Sequence, residues 1–323
     1  MKEEKYFSAI RKWRDIILPE YEIRKSKKQK SAFIDMLAAH WGEHMRVENE
    51  KKYFSRNIVI GDTDSADVIF TAHYDTCAVM PFPNFITPKN LFINLMYQLL
   101  LTAVILIPAI LLTSAAAYFT ESFILTELTL FVTAFGMIAL LILGPANKHT
   151  ANDNTSGVVS VLALADLIGA DNGRRIAFVL FDNEEAGLLG SAAFAKRHKR
   201  IRDSAFVVNL DCVSDGDYIM AVFSKKAMGH PMYQRAAEEA DGIMKQYGKN
   251  ALIEKASSAF YPSDQANFKY GTAVAAMNKK RILGYYVDKI HTSADTVFDE
   301  DNLAASVDFC TTWTADIGEN TAE

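Results

Sequence analysis

Acids and histidines recur along this chain in a fixed order. His73-Tyr74-Asp75 comes first, then Asn152-Asp153-Asn154, Glu184-Glu185, Asp211 and finally His291-Thr292. Imidazole nitrogens and carboxylate oxygens are donors that zinc accepts in hydrolytic sites. Gathered at the ends of successive strands, they are what a two-metal hydrolase needs, because two cations can activate a water and polarise a carbonyl. Taken singly each residue says little: a His-x-Asp is commonly a surface or core pair, and Glu184-Glu185 could simply open the apolar helix that follows Gly187. Their order, and their placement at strand ends, is what makes them a set.

Those strand ends are read from short apolar runs broken by Gly and Asp. Asn57 to Gly61 and Asp67 to Ala72 are two such runs, and the second leads into His73. Arg175 to Asp182 leads to Glu184, and Ala205 to Asp211 ends in Asp211. Helical segments are expected between them, at about Thr155 to Ile168, Leu188 to His198 and Met232 to Gln246. Strand and helix in alternation predict an α/β fold, a mixed but mainly parallel sheet flanked by helices on both faces. In open sheets of that kind ligands bind beyond the carboxyl ends of the strands. Residues 1 to about 54 read as helical, with Phe33, Ile34, Leu37 and Trp41 at three- and four-residue spacing. Arg24, Lys25, Lys27, Lys28 and Lys30 form a basic run within them. It is expected either as a solvated helix face or as a contact for anionic lipid head groups.

Between the first histidine and Asp153 the chain changes character. No charged residue occurs between Lys89 and Glu121, or between Glu127 and Lys148. A membrane-spanning helix needs about 20 apolar residues. Leu91 to Phe119 and Phe123 to Leu143 both qualify, with Thr120-Glu121-Ser122 as a polar turn. Pro108 inside the first is tolerated better in a membrane helix than in a soluble one. The alternative is a pair of very hydrophobic core or dimer helices. As a hairpin, residues 91–143 would cross the bilayer twice. Lys89, Lys148 and His149 at its base predict that both termini and the catalytic domain face the cytosol.

Bulk composition narrows the classes further. The 323 residues suffice for one large α/β domain, 50% are hydrophobic, and the net charge of −5 argues against nucleic acid as a partner. Cys77, Cys212 and Cys310 are odd in number and widely spaced, which fits a reducing compartment and small core residues rather than disulfides. The charged start Met1-Lys2-Glu3-Glu4-Lys5 lacks the apolar stretch of a secretory signal. Both a monomer and a homo-oligomer stay open.

The ordered set resembles the co-catalytic zinc aminopeptidases, the family that also contains glutaminyl cyclases and glutamate carboxypeptidase. The likeness covers about residues 57 to 310 outside the hairpin. It rests on Ala72-His73-Tyr74-Asp75-Thr76, on Ala151 to Gly157 around Asp153, and on Phe181 to Ser191 around Glu184-Glu185. Soluble relatives hold the first two motifs much closer together than the 80 positions separating His73 from Asp153 here. The hairpin therefore reads as an insertion, with an N-terminal helical part at 1–56, a catalytic domain at 57–87 and 147–323, and an inserted hairpin at 88–146.

The resemblance implies two zinc ions per chain. Asp153 would bridge them, with His73 and Asp211 completing one site and Glu185 and His291 the other. Glu184 would be the general base, and Asp75 would orient a ligand histidine. Thr292 and the Asp295-Thr296 pair would fix the loop that carries His291. Tyr261 and Tyr286 fall in segments that line the substrate pocket in relatives, and a buried core role is the alternative for each. Asp264 belongs to Ser263-Asp264-Gln265, where many relatives have Ser-Asp-His. The glutamine at 265 leaves the ligand set intact and puts pocket specificity in question. The implied activity is that of a membrane-anchored aminopeptidase releasing N-terminal residues from peptides. The alternatives are a deacylase acting on lipid-linked or acylated amino acids, a glutaminyl cyclase, and an inactive peptidase-like membrane scaffold.

Overall fold

The computed structural model describes residues 2–170 and 175–314, so the last stretch of the expected catalytic domain, 315–323, lies outside the described residues. Among them, nine strands form one mixed sheet: β1 (Met45–Glu50), β2 (Ser55–Ile60), β3 (Val68–His73), β4 (Ile176–Phe181), β5 (Phe206–Leu210), β6 (Tyr218–Phe223), β7 (Asn250–Lys255), β8 (Tyr270–Lys280) and β9 (Gly284–Tyr286). The order is β1-β2-β4-β3-β5-β8-β6-β7, with β9 paired to β8. β3, β4, β5 and β8 run parallel at the centre, while β1, β2, β6 and β9 bring antiparallel pairings around them.

The central strands are parallel because they are apolar on both faces: every residue of β3, β4 and β5 is buried. Helices supply the two covers. On one face lie α1 (Lys2–Glu20), α2 (Lys27–Trp41), α5 (Gly157–Ile168), α8 (Pro231–Gln246) and α9 (Glu300–Thr312), which contribute Trp13, Phe33, Leu162, Ile243 and Leu303 to the larger core. On the other lie α6 (Leu189–Arg197) and α7 (Lys199–Ser204), with Phe194 and Ile201.

Two expectations about the N-terminal part need correction. Helix ends at Trp41, and Met45–Glu50 is a strand. It hides from a sequence reading because it is short and charged, as edge strands tend to be. At Arg24 and Lys30 the basic run is neither a solvated face nor a head-group contact. Arg24 is fully buried, its guanidinium donating to the carbonyls of Tyr74 (2.6 Å) and Tyr21 (2.7 Å) and to the Thr155 hydroxyl (3.1 Å). Lys30 is buried against Asp182 at 2.5 Å and the Asn183 side chain at 2.6 Å. Only Lys27 and Lys28 stand free in solvent.

The two long apolar helices, α3 (Leu91–Phe119) and α4 (Phe123–Leu143), have the expected bounds. Asn90 and Ser122 cap them by accepting from the backbone N–H of Ile93 and Leu125. At about 1.5 Å per residue even the 21 residues of α4 reach about 31 Å, the thickness of a hydrocarbon core. Over its most apolar stretch α3 is 6% buried and α4 not at all, so neither is a core helix of this chain.

Candidate active site

Parallel pairing delivers the side chains to one place. His73 ends β3 opposite Phe181 at the end of β4, so the chain beyond Phe181 passes beside His73 and carries Glu184 and Glu185 with it. The far side of β3 pairs with β5, whose end supplies Asp211. Asp153 comes from the turn Ala151–Ser156 ahead of α5, and His291 from the loop after β9.

The flanking asparagines show why Asp153 sits where it does. Asn154 donates to the Leu210 carbonyl at 3.1 Å and accepts from the N–H of Gly157 and Cys212. The Asn152 side-chain oxygen accepts from the N–H of Ser214 (2.8 Å) and Asp215 (3.1 Å). The turn is thus stitched to the end of β5, bringing Asp153 against Asp211. Gly157 lets the two approach, since a Cβ there would meet the Leu210 carbonyl oxygen at 2.2 Å. Cys212 (φ 57°) and His291 (φ 60°) both hold left-handed backbone conformations, which cost L-residues energy and tend to be kept where a side chain must be aimed.

The assembled geometry is two-sided. Asp153 Oδ1 lies 3.3 Å from His73 Nε2, and Asp153 Oδ2 lies 3.0 Å from His291 Nε2. His73 Nε2 is also 3.7 Å from Asp211 Oδ1, and His291 Nε2 is 3.1 Å from Glu185 Oε2. Asp75 sits behind. Its carboxylate lies 3.6 Å from His73 Nδ1 and accepts from the backbone N–H of Glu184 (3.0 Å) and Glu185 (3.3 Å). His73 Nδ1 lies closer still, at 3.1 Å, to the Asp75 backbone carbonyl, so this one residue touches both the histidine and the start of the Glu184-Glu185 turn.

The acids outnumber the imidazoles in this volume. Burial pushes Glu184 well above the usual carboxylate range; Glu185 and Asp264 add to the push and His73 opposes it. Burial also pushes Asp153 upward, but hydrogen bonds from His291 and His73 win and hold it far below that range. Burial disfavours charge on His73, yet Glu184, Asp153 and Asp211 keep its imidazole well above its ordinary value. Glu185 Oε1 is buried without a hydrogen-bond partner. An excess of buried acid, an orphaned carboxylate oxygen, and donor atoms of His73, Asp153 and Asp211 within 4.8 Å of one another fit bound divalent cations.

A cavity of about 280 Å³ opens onto this cluster. Glu184, Glu185 and Asp211 line it with Ile86, Leu188, Tyr261 and Ile290. Of the expected pocket residues, Tyr261 is in its wall, donating its hydroxyl to the Asp211 carbonyl at 3.2 Å. Tyr286 is not; it is buried in β9 and paired with Asn278. Asp264 is buried behind the wall, and burial raises its carboxyl to about 7. Gln265 ties that wall together, donating to the Tyr261 carbonyl at 2.7 Å.

Three contributions go beyond the sequence reading. Asp295, expected to fix the His291 loop, ties that loop to the Asp153 turn, its carboxylate accepting from the backbone N–H of Asn152 (2.8 Å) and Asp153 (3.0 Å). Arg24 braces the backs of two motifs at once, through the Tyr74 carbonyl and the Thr155 hydroxyl. Cys77, expected as core filling, is buried with its sulfur within 4.8 Å of donor atoms of Glu185 and His291. The His-x-Asp and Asn-Asp-Asn motifs could have suggested buried anchors behind them, but nothing local marks which residue serves.

Likeness to known proteins follows the same geometry. The chain resembles the solved glutaminyl cyclase of Porphyromonas gingivalis (15% identity, TM-score 0.57, 96% of either chain covered). It also resembles the LapA aminopeptidase of Legionella pneumophila (12% identity, TM-score 0.54, 97% of this chain and 71% of that one). At such identities these likenesses speak for the fold. A vacuolar membrane protease of Candida glabrata is 26% identical over 168 residues, 49% of this chain. The chain spans only 17% of that protein's length. Residues 135–312, over half the chain and carrying Asp153, Glu184, Glu185, Asp211 and His291, match the model of Peptidase family M28, and the chain belongs to that family.

Proposed function

We propose that this peptidase is a membrane-anchored, two-zinc aminopeptidase. The observation that carries the reading is the placement of Asp153, one carboxylate oxygen toward His73 and the other toward His291. His73, Asp153 and Asp211 would hold one zinc, and Asp153, Glu185 and His291 the other. Bound there, the ions would supply Lewis acidity toward a carbonyl oxygen and positive charge that favours ionisation of a water. Glu184 also lines the cavity, with a carboxylate oxygen within 4.8 Å of donor atoms of His73 and Glu185; left off the ions, it would take a proton from the attacking water and return it to the departing amine. Asp75 keeps His73 and the Glu184 turn in register while this happens. A cavity of about 280 Å³ walled by Ile86, Leu188 and Ile290 suits one uncharged N-terminal side chain rather than an extended segment.

The hairpin of α3 and α4 would cross the bilayer twice, with the catalytic domain (57–87 and 147–323), its helical N-terminal part (1–56) and both termini in the cytosol. Exposed leucines and phenylalanines along both helices support this reading, as do Lys89 and Lys148 at the base. Glu184→Gln tests the chemical assignment: it should keep both zinc ions and lose about 10²–10⁴ in turnover. Undiminished turnover would remove Glu184 from the role of base. Protease protection of the domain inside sealed right-side-out vesicles tests the orientation.

A further inference from the structure

Among the described residues outside the hairpin, three large apolar side chains stand more than half exposed: Phe54 (83%), Phe260 (53%) and Ile282 (80%). All three lie at the end of the sheet from which the hairpin leaves. Phe54 immediately precedes β2, which runs antiparallel to β4, so it sits beyond the carboxyl end of β4. Its carbonyl accepts from the Asn183 side chain, one residue before Glu184. Ile282 is in the turn between β8 and β9, and β8 is parallel to β5, which ends at the site. The Asn90 side chain, at the start of α3, donates to the Ile282 carbonyl at 3.3 Å, and the Phe260 N–H donates to the Pro88 carbonyl at 2.8 Å. On the other flank Lys25 donates to the Ile142 carbonyl at the end of α4 (2.6 Å).

Both loops carry cations beside the apolar tip. Lys51 and Lys52 precede Phe54, and Lys279, Lys280 and Arg281 precede Ile282; all five are exposed. A basic stretch ending in a bare apolar residue, next to the point where a helix enters a bilayer, has the composition of an interfacial anchor. We propose that the Lys51–Phe54 loop and the Lys279–Ile282 turn, one on each side of the hairpin base, dock on an anionic lipid surface. They hold the mouth of the catalytic cavity against that surface. Asn84 and Ile86, close in sequence to Pro88, and Tyr261 and Pro262, next to Phe260, line that cavity. The substrate class of the site is therefore peptides presented at the membrane surface. This rests on the hairpin spanning the bilayer and extends it, since a hairpin alone would leave the domain free to tilt away.

The test uses the full chain in vesicles of phosphatidylcholine with or without phosphatidylglycerol. The native cysteines are buried, so a fluorophore can be attached at Phe54→Cys, Ile282→Cys or, as a remote control, Asp64→Cys, an exposed position in the loop that enters β3 at the end of the sheet away from the site. Brominated lipids should quench the labels at 54 and 282 several-fold more than the label at 64, and more strongly with phosphatidylglycerol present. Equal quenching at all three positions, in protein whose hairpin is protected from protease by the bilayer, would overturn the docking proposal and leave the spanning hairpin intact. Failure of the chain to float with the vesicles would overturn both.

Discussion

Leu180 in β4 and Leu111 in α3 are the same residue in opposite surroundings: the first is wholly buried and the second is 65% exposed. The polar groups beside them differ in the same sense. In the hairpin, hydroxyls of Thr102, Thr113, Thr126 and Thr129 each donate to the carbonyl four residues earlier, within their own helix. In the domain, buried polar groups reach across the sequence: Arg24 to Tyr74 and Thr155, Lys30 to Asp182, Asn154 to Leu210. A helix that satisfies every polar group internally can face hydrocarbon on all sides. A catalytic site needs the reverse, because distant residues must be pinned to one point. The hairpin leaves both rules intact by joining the domain through short contacts at its base, such as Val79 to Pro145 and Asn147 to Cys77.

The sharpest way to break this comparison is at the point where the domain converges. Asp153→Asn should abolish turnover and release metal from both sites at once, read as metal per chain after dialysis; retention of two ions would refute the bridging role. Next comes Lys30→Met, which strands Asp182 in the interior and should cost about 3–5 kcal/mol in denaturant unfolding of the domain. Leu180→Ala should cost about 2–5 kcal/mol by the same measurement. Asp295→Asn weakens the hold on the Asn152 and Asp153 backbone and should lower metal affinity by about 10- to 100-fold while leaving the fold intact. The smallest effect belongs to Leu111→Ala, which should shift domain unfolding in detergent by no more than about 0.5 kcal/mol. A large shift there would mean that the helix packs on the domain after all.

How far these features were legible in the sequence depends on the range of the physics. The hairpin's bounds could be read because a continuous apolar run is a local signal, and β3, β4 and β5 could be read for the same reason. Asn152, Asp153 and Asn154 were recognisable only through the resemblance to a known family, since the groups they bind, the Leu210 carbonyl and the Ser214 N–H, lie 56 and 62 positions further along the chain. β1 was not legible: Met45–Glu50 is half charged and is a strand only because β2 lies beside it. Nor were the buried roles of Arg24 and Lys30. A basic run in isolation looks solvated, and only the fold brings the Tyr74 carbonyl and the Asp182 carboxylate to meet it. For Tyr286 the sequence left a pocket role and a core role open, and the side chain is buried in β9, since a segment adjoining the site need not aim its side chain at the cavity.

The most direct measurement of the central claim is hydrolysis of a panel of aminoacyl amides and acyl-amino acids by the detergent-purified chain, with and without a chelator. The account predicts release of uncharged N-terminal residues from the amides, lost on chelation and restored by zinc. Cleavage confined to the acylated substrates, or release that a chelator leaves untouched, would contradict it.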